Sequence, residues 1–304
     1  MGEAEYREAE RVLWERVGSS PSETRVRCEV SGTDVRVQIV GEGPSVLFVH
    51  GGPNAGSTWA PIMPHFAGFR SYLVDRPGTG LSDDYVLRED LMGFGRRFVP
   101  ELLDALGIER AHVVASSFGG MLALVGAAEA GERVDRMVQM ACPAFVPGMK
   151  SPGFMKAMSL APVRWLMNTL PPNERVGKSI LRQIGHGASI DADRIPQHFF
   201  DWYLALQRHT NTMRNEGEMI GGVATLRGFP DSYTLPASLI ASVATPTLFL
   251  WGEDDGFGGR DVAENVVGLM PNAELRMFPA SGHLPWLDDP DTIGRVSADF
   301  LRAG

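Results

Sequence analysis

Between Val46 and Phe278 the chain repeats one arrangement: a short apolar run without alternation, a turn rich in glycine or acid, then a helical stretch. The runs are Val46–Val49, Ser71–Asp75, Ala111–Ser116, Arg136–Cys142, Thr247–Gly252 and Glu274–Phe278. A strand without polar alternation buries both of its faces, which a parallel strand covered by helices does. Helical periodicity fills the gaps at Asp90–Leu106, Phe118–Ala130, Asp261–Leu269 and Thr292–Leu301, so crossovers and a mainly parallel sheet with helices on both faces are predicted. The last helix has a readable start, with Asp289 as cap and Pro290 in its first turn. Residues 24–40 alternate instead, with Val26, Val35, Val37 and Ile39 among polar residues, as strands with one covered face do.

Two segments stand outside this rhythm. The first 18 residues read as an amphipathic helix with Tyr6, Ala9, Leu13 and Val17 on one face, a packing stripe. They lack the continuous apolar core of a secretory signal. From about Val146 to Ser238 no buried strand is legible, while Pro, Met, Trp and Phe recur among helical fragments. A structureless loop of that length does not fit a compact domain, so the segment is expected to be an inserted helical cap. The division is then 1–145 and 239–304 for the two parts of the core and 146–238 for the cap. Six of the fourteen methionines fall in the cap, and adaptable thioethers suit an apolar ligand surface. Phe199, Trp202 and Met213 are its candidate ligand-facing residues.

The 304 residues carry a formal charge of −9 with no block of Lys or Arg, which argues against a nucleic-acid groove or an anionic membrane surface as partner. Small-molecule substrates are expected, and no run approaches the length of a membrane span. Cys28 and Cys142 belong to no metal-binding pair and read as buried thiols of a reducing compartment, so a cytoplasmic location is expected. No HExxH or similar ligand cluster occurs, so neither metal nor cofactor is expected. The "GKS" at Gly177–Ser179 lacks the earlier glycine of a phosphate loop, Pro172 standing in its place, and no buried strand precedes it.

"HVVASSFGG" offers two serines. A serine thrust out on a sharp strand-to-helix turn needs small residues two before and two after it. Ser116 would have Val114 and Phe118 there, whereas Ser117 has Ala115 and Gly119, so Ser117 is the candidate nucleophile. A base is available in "PASGHLPWLDDP", where His283 follows the last strand and precedes the last helix; the other six histidines fit less well. The loop "WGEDDGF" offers Glu253, Asp254 and Asp255 between serine and histidine, the chain order of one hydrolase class. Oxyanion donors are expected from the backbone amides of Gly52, in "HGGPNAG", and Phe118.

Together "HGGPNAGSTW", "DRPGTGLS", "ASSFGG", "WGEDD" and "GHLPWLDDP" resemble the α/β-hydrolase superfamily in its capped branch, over Val46 to Leu301. The resemblance implies an α/β fold with an eight-stranded, mostly parallel sheet, a lid after the sixth strand and a nucleophile–histidine–acid triad. Its usual spacing points to Asp255 over Asp254, and it makes "DRPGTGLS" a structural turn beside the pocket. The expected activity is cofactor-independent hydrolysis of an ester or lactone of a medium-sized apolar compound. Capped enzymes that cleave C–C bonds in diketones resemble this set too, but with "GHW" where this chain has Leu284. Proline iminopeptidases share "HGGP" with a different elbow, and some members of the fold only bind ligands.

Overall fold

The computed structural model describes residues 2–88 and 90–303. The six apolar runs become β3 (Ser45–Val49), β4 (Arg70–Val74), β5 (Ala111–Ser116), β6 (Val134–Met140), β7 (Thr247–Gly252) and β8 (Ala273–Phe278), and the alternating segment becomes β1 (Ser22–Cys28) and β2 (Thr33–Val40). One sheet of eight strands results, in the order β1-β2-β4-β3-β5-β6-β7-β8. β1 pairs with β2, and β2 with β4, antiparallel; every other pairing is parallel. β5 and β7, flanked by strands on both sides, are buried at every residue, which explains their unbroken apolar runs.

The helices in chain order are α1 (Gly2–Arg16), α2 (Leu91–Ala105), α3 (Ser117–Glu129), α4 (Gly153–Met158), α5 (Ala161–Thr169), α6 (Glu174–Gln183), α7 (Gly187–Asp191), α8 (Gln197–His209), α9 (Thr212–Val223), α10 (Ala237–Ser242), α11 (Arg260–Leu269), α12 (Pro285–Asp288) and α13 (Pro290–Arg302). α2 and α3 pack together on the sheet, and α13 packs with the 3-10 segment Gly56–Phe66. Asp289 caps α13 through Thr292 N at 3.0 Å, as read from sequence. Between β6 and β7 the described residues form helices and a single isolated bridge, Thr225 with Gly228. Gly177–Ser179 lies inside α6, away from any strand end.

The sequence reading of α1 is incomplete. Tyr6 and Leu13 are buried as expected, but Glu10 and Trp14 are buried with them while Ala9 and Val17 are only half-covered. The reason is ionic. Arg36 of β2, 3 % exposed, donates to Glu10 at 2.6 and 3.0 Å, to Glu23 at 2.8 Å and to Asp75 at 3.4 Å, while Tyr6 Oη and Ser57 Oγ also donate to Glu10. Asp75 accepts in turn from Leu81 N at 2.9 Å, closing the turn that "DRPGTGLS" forms, and from Gly56 N at 2.7 Å, which ties that turn to the 3-10 segment Gly56–Phe66. Burial raises the Asp75 carboxyl above its ordinary value, and Arg36 opposes that shift.

A buried charge left without its partner is costly, because water cannot replace the lost contact. Arg36→Met is therefore expected to destabilise the fold by roughly 3–5 kcal/mol in urea unfolding, and replacing Glu10 together with Arg36 by apolar residues to recover most of that loss. A loss in the double variant as large as in the single one would contradict this account.

Candidate active site

β5 ends at Ser116, and Ser117 opens α3 with φ of +51°, a left-handed conformation that a non-glycine residue adopts only where surrounding structure enforces it. The enforcement is close packing. A methyl group on Gly119 would lie 2.2 Å from the Val49 carbonyl oxygen, so α3 can press onto β3 only with glycine there. Ser116 points the other way: it is fully buried, and its Oγ accepts from Gly51 N at 3.2 Å. The two serines thus have different places, one half-buried at the helix start and one tying down the loop after β3.

His283 Nδ1 lies 2.9 Å from both oxygens of Asp255. A carboxylate only accepts, so the Nδ1 proton points at Asp255 and the lone pair stays on Nε2, the state a general base needs. Asp255 is 5 % exposed and also accepts from Cys142 N at 3.0 Å and Phe257 N at 2.9 Å, while Glu253 and Asp254 are exposed. The Phe257 ring packs on the imidazole with centroids 4.3 Å apart. Among the described residues Ser117 Oγ makes no hydrogen bond to His283, a contact that commonly tightens only with substrate.

The Gly52 and Phe118 amides donate to no protein acceptor among the described residues. At Phe118 this follows from its place in the first turn of α3, where backbone N–H groups have no intrahelical partner and carry the positive end of the helix dipole. His50 is no rival base. Its Nδ1 donates to Gly51 O at 2.6 Å, its Nε2 accepts from Arg76 N at 3.3 Å, and burial, reinforced by the Arg76 charge, pushes it well below the ordinary histidine value.

Several residues of this region gave no sign in the sequence of the contacts they make here. Arg76 donates through Nε to His50 O at 2.9 Å and through Nη2 to Gly51 O and to Glu216 of α9, and its guanidinium stacks 5.0 Å from the Phe118 ring centroid. Thr212 and Asn215 also join α9 to the Asp75–Ser82 turn, through Gly80 N and Gly78 O. A small cavity beside Phe118 is lined by Arg76, Tyr85, Leu87, Asn215, Glu216 and Met219. The three expected cap residues are elsewhere. Trp202 and Phe199 sit in the buried face of α8, a helix that packs against α1, and Met213 is half-buried on α9; none lines this cavity. Burial of the α8 face that packs against α1 accounts for the apolar character of Trp202 and Phe199.

A second histidine–aspartate pair supports the first. His186, fully buried in the helical insertion, shares a 3.0 Å contact with Asp288 Oδ1 through Nδ1 and accepts from Leu284 N through Nε2 at 3.0 Å. Asp288 also accepts from Ser281 Oγ and Gly282 N, both at 2.9 Å, so it holds the residues before His283 while His186 holds Leu284 after it. Burial alone would raise the Asp288 carboxyl, but the hydrogen bonds from His186, Ser189 and Gly282 hold it below its ordinary value. A depressed carboxyl stabilises the fold fully above the ordinary carboxylate range and loses that contribution as pH falls through its folded-state value. Asp288→Asn is expected to cost roughly 1–3 kcal/mol at neutral pH in urea unfolding, with the deficit against wild type shrinking in acid below about pH 4. A deficit unchanged by acid would exclude the ionised carboxylate as its source.

The family model described as the alpha/beta hydrolase fold matches residues 44–290. The chain belongs to this family. Among curated relatives of this alpha/beta hydrolase, the 2-hydroxy-6-oxononadienedioate/2-hydroxy-6-oxononatrienedioate hydrolase of Paraburkholderia phymatum is 30% identical, over 89% of this chain and 92% of its own. The 2-hydroxy-6-oxo-6-phenylhexa-2,4-dienoate hydrolase of Burkholderia cepacia is 28% identical, over 90% and 93%. Among solved structures, a carboxylesterase of Bacillus subtilis superposes with a TM-score of 0.77 at 20% identity, covering 100% of this chain and 99% of its own, a likeness of fold. The eight-stranded, mostly parallel sheet expected of an alpha/beta hydrolase is the one observed. No helix among the described residues is long and apolar enough to cross a membrane.

Proposed function

We propose that this hydrolase cleaves a bond at a carbonyl group of a small organic substrate, with Ser117 as nucleophile, His283 as general base, Asp255 as orienting carboxylate and the Gly52 and Phe118 amides as oxyanion donors. The observation that carries the reading is the buried Asp255–His283 pair, which leaves Nε2 available, together with an elbow serine held at positive φ. Ser117 Oγ adds to the carbonyl carbon as its proton passes to His283 Nε2. The tetrahedral oxyanion is stabilised by amides already oriented, and collapse expels the leaving group with the proton from His283. Water, activated by the same histidine, then releases the acyl group.

For the bond broken, the relatives support a carbon–carbon bond beside a ketone, since those named above are hydrolases of 2-hydroxy-6-oxo-dienoates and align over most of both chains. An ester is the second reading, favoured by two observations. Leu284 follows the histidine where the carbon–carbon enzymes resemble "GHW", and Arg76, the cation beside Phe118, is already paired with Glu216 and so offers a substrate carboxylate no uncompensated charge. One screen separates them. Purified protein is given 2-hydroxy-6-oxo-6-phenylhexa-2,4-dienoate, followed by loss of its absorbance, and 4-nitrophenyl esters of graded chain length. Faster specific turnover of the dienoate supports the first reading and turnover of esters alone the second. No turnover of either, with no labelling of Ser117 by a phosphonate, would overturn both.

A further inference from the structure

Glu216 is a charged group near the candidate nucleophile that the chemistry above does not use. It projects from α9 and is 4 % exposed, and its Oε1 accepts from Arg76 Nη2 at 2.8 Å. Its Oε2 is buried and has no hydrogen-bond partner among the described residues. That oxygen rests on the loop after β3: a methyl group on Gly52 would lie 1.9 Å from Oε2. Gly51, one residue earlier, meets the elbow in the same way, a methyl there lying 2.7 Å from Ser117 Cβ and 3.3 Å from Ser117 Oγ. Two consecutive glycines therefore separate the unpartnered oxygen from the nucleophile, and a side chain on the second would cover it.

An ionised carboxylate has about four acceptor sites, and burying an oxygen with none of them used is unfavourable. Arg76 is not placed to fill the gap, because its Nη2 is shared between Glu216 Oε1 and Gly51 O, its Nε is held by His50 O, and stacking on Phe118 fixes its plane. A donor for Oε2 therefore comes from outside the protein, and a substrate group can take that place from solvent.

We propose that Glu216 Oε2 accepts a hydrogen bond from a hydroxyl group that the substrate carries on the carbon next to the carbonyl attacked by Ser117. The proposal rests on the reading of Ser117 as nucleophile and holds whichever bond is broken. Charge balance selects the donor. Arg76 and Glu216 together are neutral, so a hydroxyl keeps the buried group neutral, whereas an ammonium would add a desolvated positive charge and a carboxylate would bring a second anion with no donor for Oε2. The position next to the carbonyl follows from Gly52, which touches Oε2 and whose amide is the proposed oxyanion donor.

The test compares three analogues of whichever ester or ketone the screen above shows to be turned over, bearing a hydroxyl, a methoxy or hydrogen at that carbon. In a butyrate series these are ethyl 2-hydroxybutyrate, as separate enantiomers, ethyl 2-methoxybutyrate and ethyl butyrate, with the 2-amino and 2-carboxy compounds as charged controls. For the wild-type protein one hydroxy enantiomer is expected to exceed both the methoxy and the unsubstituted compound in kcat/KM by roughly ten- to a hundredfold, the range of a hydrogen bond to a charged acceptor. The methoxy compound matters because it keeps the size and removes only the donor. Glu216→Gln, which can keep the contact to Arg76 while presenting an amide NH2 in place of Oε2, is expected to bring the hydroxy-to-methoxy ratio within about twofold and to erase the enantiomer preference; the ratio is the readout, with folding checked by thermal melting. Turnover without hydroxyl preference in the wild type, a preference for the ammonium or carboxylate control, or a ratio unchanged in folded Glu216→Gln would each overturn the proposal while leaving Ser117 as nucleophile intact. Should Glu216→Gln not fold, the wild-type hydroxy-to-methoxy ratio alone decides. No turnover at all, with Ser117 unlabelled, is the separate failure of the nucleophile reading and ends both.

Discussion

Ser117→Ala is expected to lower kcat by about 10⁶ on any substrate the protein turns over, leaving a residual rate about 10³- to 10⁴-fold above the uncatalysed one, because oxyanion donors and binding survive the loss of a triad member. Thermal stability should fall little or rise, since alanine removes only a hydroxyl from a half-buried position at the start of α3. Ser116→Ala should behave differently. Its Oγ accepts from Gly51 N, so its loss would loosen the loop that carries Gly52, with a rate penalty of roughly tenfold or less and a stability cost of about 1 kcal/mol. A fluorophosphonate should label wild type and Ser116→Ala but not Ser117→Ala. Label on Ser116, or equal labelling of the Ser117→Ala protein, would remove the elbow assignment.

Those two serines also mark what a sequence can show. The elbow is legible because its constraint is local: the residues two before and two after the serine must be small, and the Gly119 contact with Val49 shows why. The sheet is legible for a similar reason, since burial on both faces writes itself into each strand as an unbroken apolar run. What escaped needs long-range geometry. Glu10 and Arg36 lie 26 positions apart and Arg76 and Glu216 lie 140 apart, so a charged residue inside an amphipathic helix gives no local sign that it faces inward to meet a partner. Trp202 and Phe199 show the opposite ambiguity. An aromatic on a helix of the insertion can face a ligand or a neighbouring helix, and the packing of α8 on α1 selects the second. His186 is a third case. Its contacts with Asp288 and Leu284 arise only because the insertion folds back over the loop that carries His283.

Among three consecutive acids the family spacing points to Asp255, and its contact with His283 Nδ1 gives that choice a physical basis that predicts the second large effect. Asp255→Asn is expected to lower kcat on the order of 10⁴ at neutral pH with little change in KM. An asparagine side chain can offer its NH2 to His283 Nδ1, and that would favour the tautomer with the proton on Nε2, the wrong one for a base. It could no longer stabilise the imidazolium formed when Ser117 gives up its proton. Part of the effect would come from the acceptors Asp255 provides to Cys142 N and Phe257 N, which fix its carboxylate, so the variant must be shown to fold. Asp254→Asn is expected to retain activity within about threefold, because Asp254 is exposed and anchors the loop through its backbone N–H to Ser281 O at 3.0 Å, a bond the substitution keeps. Glu253→Gln should be as mild, its carboxylate being engaged with Arg260 on the surface. The pH profile adds a check that structural damage would not reproduce. If the Asp255→Asn defect is one of tautomer and imidazolium stability, residual activity should rise with pH as hydroxide takes over part of the base's work, whereas a misfolded site would stay inactive at every pH. Equal losses at Asp254 and Asp255, or a folded Asp255→Asn with near-normal kcat, would mean that His283 is oriented by something other than the carboxylate 2.9 Å from its Nδ1.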